Sequence, residues 1–127
     1  MPISLRTLFA AGLALAMSHA VRAEDRFDLR CTLTSRVAGA PAATTRIVVL
    51  KIDLEDRRYA QGDDAPQAIH EVTATELILQ SDRSRLLRID RRSGAYLFKF
   101  EDPAAGRGIV STGDCTSVPF SGFAKGS

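Results

Sequence analysis

Few residues in this 127-residue chain are equipped for chemistry. Thiols stand at Cys31 and Cys115 and nowhere else. In an oxidising compartment a lone pair of cysteines becomes a disulfide; in the cytosol it stays reduced. A Cys31–Cys115 bridge would close a loop of about 85 residues, which the chain-entropy treatment values at roughly 4–5 kcal/mol. Histidine occurs only at His19 and His70. A histidine base needs an orienting acid, and Glu71 follows His70. Neighbours on a strand point to opposite faces, so Glu71 cannot orient His70 there. No serine sits in a Gly-x-Ser-x-Gly elbow. The expectation is a surface histidine, no catalytic residue and no enzyme.

The same scarcity excludes the common metal sites. One histidine beyond His19 and two cysteines cannot furnish a four-ligand zinc site. The acids Asp53, Glu55, Asp56, Asp63 and Asp64 lack the alternating spacing, glycine and distal glutamate of a calcium loop. They read as charged turns, and no metal or other cofactor is expected. Arg83, Arg85, Arg88, Arg91 and Arg92 form the densest basic stretch. Such a run can meet phosphate or an acidic partner, but it can equally keep a sheet edge soluble. Tyr96, Phe98, Phe100, Phe120 and Phe123 hold most of the aromatic content. They are core candidates, or the lining of a small apolar ligand site in a barrel mouth.

What these residues mean depends on the compartment, and the first 23 residues speak to that. Arg6 supplies a positive start, residues 8–17 an apolar run, and Val21-Arg22-Ala23 a small-residue cleavage signal before Glu24. The arrangement reads as a secretory signal peptide over 1–23, cut between Ala23 and Glu24. The apolar run is about half the roughly 20 residues that span a bilayer, so no membrane span is expected. Cys31 lies well past that run, which argues against a lipid anchor. The formal charge is +2, but Arg6 and Arg22 leave with the leader. The mature chain is then neutral, and nothing in its charge points to nucleic acid. A periplasmic or secreted location follows, with Cys31 and Cys115 bridged.

Residues 24–127 make one domain of 104 residues, enough for a modest core. Its pattern is that of short strands between turns. Phe27, Leu29, Cys31 and Leu33 alternate with polar residues, which puts Cys31 on an inner face. Residues 44–54 form the strongest strand, and the apolar run from Ile47 to Leu50 implies that part of it is central or covered. A short segment starts at Tyr59. Residues 68–72 and 75–80 pair, although Thr73 and Glu76 also resemble a helix capping box. Residues 85–91 and 96–100 flank an Arg92-Ser93-Gly94 hairpin turn. Residues 106–116 form the last strand, followed by an irregular tail over 119–123. About seven or eight strands with turns every 8–12 residues predict an all-β fold. It is a small antiparallel barrel or a sandwich, its first and last strands linked by the disulfide.

Several short segments carry a resemblance. They are 27–31, 46–54, Ile89-Asp90-Arg91-Arg92-Ser93-Gly94, and Gly113-Asp114-Cys115 continuing to Pro119-Phe120-Ser121-Gly122-Phe123. Together they resemble a recurring pattern in small uncharacterised exported proteins of Gram-negative bacteria. The pattern covers nearly all of the mature chain and implies no known activity. Such relatives carry extra cysteines near residues 59–64, which this chain lacks. More distantly, Ser93-Gly94-Ala95-Tyr96 is similar to the Ser-Gly loop of periplasmic inhibitors of C-type lysozyme. That likeness implies Ser93 and Lys99 as inhibitory-loop residues, although no glycine follows Lys99 and the tryptophan common in that strand is missing. The expected function is binding or envelope association, with an envelope protein or a small apolar ligand as partner. A lysozyme inhibitor is the alternative, and a hydrolase using His70 is the remaining one.

Overall fold

A computed structural model describes residues 25–124. The expected leader and the Ala23–Glu24 junction lie outside the described residues. Within them every regular element is a strand. In order these are β1 (Arg26–Val37), β2 (Thr44–Asp53), β3 (Arg58–Gln61), β4 (Gln67–Ala68), β5 (Glu71–Val72), β6 (Glu76–Ser81), β7 (Arg85–Asp90), β8 (Ala95–Asp102) and β9 (Arg107–Val118). All pairings are antiparallel. They form one sheet in the order β4-β3-β2-β1-β9-β8-β7-β6-β5. The chain meanders away from β1 on one side and returns to it through β9, so the sheet curls into a half-barrel. A single continuous sheet settles the choice against a sandwich.

The described residues form nine strands rather than seven or eight. The extra strand arises at residues 67–72, where one extended segment serves two partners. Its first half pairs with β3, Tyr59 against Gln67. Its second half pairs with β6, Glu71 against Ile78. Between them the Ile69 amide donates to the Arg57 carbonyl at 2.9 Å, and the His70 amide to the Leu79 carbonyl at 3.3 Å. The two sheet edges are therefore consecutive pieces of one stretch of chain.

Alternation places the apolar residues on the concave face. Phe27, Leu29, Cys31, Leu33, Leu50, Ile52, Leu77 and Ile89 are fully buried in one cluster with Tyr59, Leu79 and Tyr96. A register row crosses the sheet from Leu33 through Gly113, Tyr96 and Ile89 to Leu77. Gly113 lies opposite Leu33 on β9, and a Cβ there would run into the Thr32 carbonyl. The hydroxyls of Ser35 and Ser111 close the row above it at 2.6 Å. The apolar run of β2 is not covered on both faces: Val48 and Leu50 point inward, and Ile47 is 57% exposed. Thr73 does cap a turn, its Oγ1 accepting the Glu76 amide at 2.9 Å, but a strand follows and not a helix.

The convex face is covered at one end by residues 119–123. Alternation turns Asp28 outward, yet Asp28 is buried. Its two carboxylate oxygens accept from the Ser121 amide at 3.2 Å and the Ser121 hydroxyl at 2.6 Å. Phe120 and Phe123 meet edge to face at 5.5 Å, and the Arg58 guanidinium lies over Phe123. A buried carboxylate must be hydrogen-bonded, and this need pins the tail as a strap across β1 and β3.

Candidate functional site: a slot in the half-barrel wall

Cys31 and Cys115 are directly opposed on β1 and β9, bridged, with Cα atoms 3.9 Å apart. The ladder around them runs unbroken from Asp28–Val118 to Val37–Ile109. This side of the half-barrel is sealed, and the disulfide has a structural place in it. The bond is compatible with an oxidising compartment.

The opposite side is different. Residues 70–72 are zipped to β6, but the ladder stops at the His70–Leu79 bond. Above it, no backbone bond joins residues 67–69 to residues 80–82. The two edges part into a slot of about 470 Å³, with residues 67–70 on one wall and 79–82 with Arg85 on the other. A register shift between Ile78 and Gln80 re-aims β6 at this point, as β-bulges do. It lets the Gln80 amide donate to the Tyr59 hydroxyl at 2.6 Å, bridging β6 to β3. Ile69 and Leu79 supply apolar floor, both buried. Burial pushes the Tyr59 hydroxyl above its ordinary value, against the opposing pull of Gln80 and the Arg85 charge.

Arg85 opens β7 in the same alternation as Leu87 and Ile89, but at the strand's start it is exposed. Its guanidinium lies 5.4 Å from the centre of the Phe100 ring, a cation–π placement that holds the charge in position. Arg85 forms no ion pair among the described residues. The nearest acid in sequence, Asp82, interacts with the Arg85 charge without forming an ion pair with it, and its turn holds one of its oxygens. Its Oδ1 accepts from the Ser84 amide, the Ser84 hydroxyl and the Arg85 amide. The Ser84 amide, then the Arg85 amide, hold this carboxyl below its ordinary range.

His70, read from sequence as a surface residue, is exposed on one wall of the slot. Glu71 does not orient it; instead the fold sets Ser81 and Asp82 on the facing wall. No hydrogen bond joins His70 to either of them. Ser93 is exposed at the β7–β8 turn, where the Asp90 carboxylate accepts the amides of Arg92 and Ser93 at 2.7 and 3.0 Å. The Ser93 amide, then that of Arg92, keep Asp90 below the ordinary carboxylate range. Lys99 is exposed six residues further along β8, about 20 Å away at strand spacing. The aromatic candidates do not converge. Tyr96 is core, Phe98 packs against it, Phe100 lies under Arg85, and Phe120 and Phe123 are in the strap. The arginine run also divides: Arg88 reaches Glu76 at 3.9 Å, and Arg91 donates to the Thr73 carbonyl at 2.5 Å.

Sequence reasoning missed Gln67, Gln80 and Ser81 as site residues. The available signal was the Leu79-Gln80-Ser81 stretch, where alternation of apolar and polar residues gives way. Among the described residues no helix is long and apolar enough to cross a membrane, and no cluster of three or more metal-ligating side chains occurs. Comparison with protein-family models, curated proteins and solved structures finds no match.

Proposed function

We propose that the protein is an exported binding module whose ligand seats in the slot between residues 67–70 and 79–82. The observation that supports this is the slot itself: a polar opening, with an arginine that forms no ion pair, between two sheet edges that are joined by backbone bonds below it. Ligands commonly sit where a rigid β scaffold opens and a few polar groups converge. The test is thermal unfolding of wild type and Arg85→Glu in the presence of fractionated envelope extract. A fraction at about 100 times its Kd should stabilise wild type by about 2.7 kcal/mol. The variant should lose that gain while unfolding at an unchanged temperature alone. Gains of equal size in both proteins would overturn the reading. So would an ester, glycoside, peptide or phosphate hydrolase activity that falls by about a hundredfold in His70→Ala.

A second reading rests on Ser93. It stands at the tip of an exposed turn braced by Asp90, a rigid projection suited to entering an enzyme cleft. On this reading the protein inhibits C-type lysozyme, and Ser93→Ala relieves the inhibition. Undiminished lysozyme activity at a tenfold molar excess of wild type would dismiss it.

A further inference from the structure

We infer that the slot takes a short extended acidic peptide segment, added as a strand between the two parted edges. This inference rests on the slot being the binding site and specifies its occupant. The first support is the backbone. Residues 67–69 pair with β3 on one side only, and residues 80–81 pair with β7 on one side only. Each wall therefore offers a free strand edge, and the edges run antiparallel and face each other. Free edges are usually shielded by lysine, proline or an overlying loop, because they recruit other chains. Here Gln67, Ala68, Ser81 and Asp82 are all exposed. An inserted strand satisfies main-chain donors and acceptors on both flanks, the mode in which peptides augment sheets.

The second support is charge. Arg85 enters the slot without an ion-pair partner and is held by Phe100. Asp82, the one acid on the walls, spends Oδ1 on its own turn and feels the Arg85 charge, but forms no ion pair with it. A guanidinium so placed presents its donor fork to a carboxylate. The free walls are three residues long above the His70–Leu79 bond, which at strand rise is about 10 Å and sets the length of the segment that pairs. The buried floor of Ile69 and Leu79 suits one apolar side chain, facing inward.

The experiment follows backbone amide resonances of the whole mature protein with a capped Thr-Val-Thr-Glu peptide, whose Val and Glu share one face, at millimolar concentration. Shifts should concentrate at residues 67–70 and 79–82. The same peptide N-methylated at alternate residues keeps its side chains and loses its edge donors. It should bind at least about tenfold more weakly, and Lys in place of Glu should cost a similar factor by charge mismatch. In Arg85→Ala, with an unchanged unfolding temperature, the Glu and Lys peptides should bind alike. Equal binding of the N-methylated peptide, or the same shifts from acetate alone, would leave a slot ligand but overturn strand addition. Shifts elsewhere, or none, would overturn the proposal. Concentration-dependent shifts at these amides without peptide would assign the slot to a second copy of the chain.

Discussion

The half-barrel has two seams, and they are built in opposite ways. Where β1 meets β9, ten residue pairs form an unbroken ladder reinforced by the Cys31–Cys115 bond. Where residues 67–72 meet β6, two pairs and one further bond hold before the edges part. The first seam joins segments distant in sequence and needs both a long ladder and a covalent link. The second joins neighbours in sequence, whose turn at residues 73–75 already holds them close. Strong closure on one side leaves the fold free to stay open on the other. The comparison also locates flexibility: amides beside a sealed ladder exchange through global unfolding, and those at a frayed edge exchange locally.

Breaking the sealed seam has the largest expected effect. Cys115→Ala should lower stability by roughly 2–5 kcal/mol in denaturant titration. A loss under about 0.5 kcal/mol would mean that the ladder alone closes the barrel. Gly113→Ala attacks the same seam without touching sulfur. Its methyl group meets the Thr32 carbonyl, backbone against backbone, and the cost should reach about 3 kcal/mol. Hydrogen exchange should then rise across β1 and β9 but stay unchanged at Gln80 and Ser81.

Asp53 supplies a pH-dependent version at the entry to the sealed half. Burial raises its carboxyl, but the Asp56 amide and the Arg26 guanidinium at 3.1 Å outweigh that and set it below the ordinary value. A depressed carboxyl contributes its stability in full above the unfolded value of about 3.9 and loses it as pH falls through the folded value. Asp53→Asn should cost about 1–3 kcal/mol at neutral pH and flatten the acid limb of the stability curve. An acid limb as steep as that of wild type would remove Asp53 from the account.

The smallest effect is expected at the open seam. Tyr59→Phe removes the one side-chain bond that ties β6 to β3 beneath the slot. Stability should fall by about 1 kcal/mol, with faster exchange confined to residues 79–82. Spread of that change into β1 and β9 would mean that the two seams are coupled.

The sealed seam was legible in the sequence and the open one was not. Phe27, Leu29, Cys31 and Leu33 alternate on a first strand, and Cys115 falls on the last, so their positions and the expected compartment together predict the bridge. Turn residues such as Gly94 and Pro103 marked most strand ends, because φ > 0 and a missing amide are local demands. The slot depends on how one segment, residues 67–72, divides itself between two partners, which no local pattern records. Ile47 misled because an apolar run looks the same whether both faces are covered or one is wet. The tail looked irregular for a related reason: its order comes from Asp28, 93 residues away.

The interior position of β1, between β2 and β9, has a consequence for how the chain is made. Cys115 appears 84 residues after Cys31, a delay on the order of 4–17 s at ordinary rates of synthesis. Through that interval β1 can pair with β2 alone, and its other flank is an edge strand beside an unbridged thiol. Native sulfur pairing must wait for nearly the whole polypeptide. A chain truncated before β9 keeps its strongest strands yet leaves one flank of β1, and the Cys31 thiol, without a partner. Early stops should therefore yield disulfide-linked aggregates rather than a smaller folded domain.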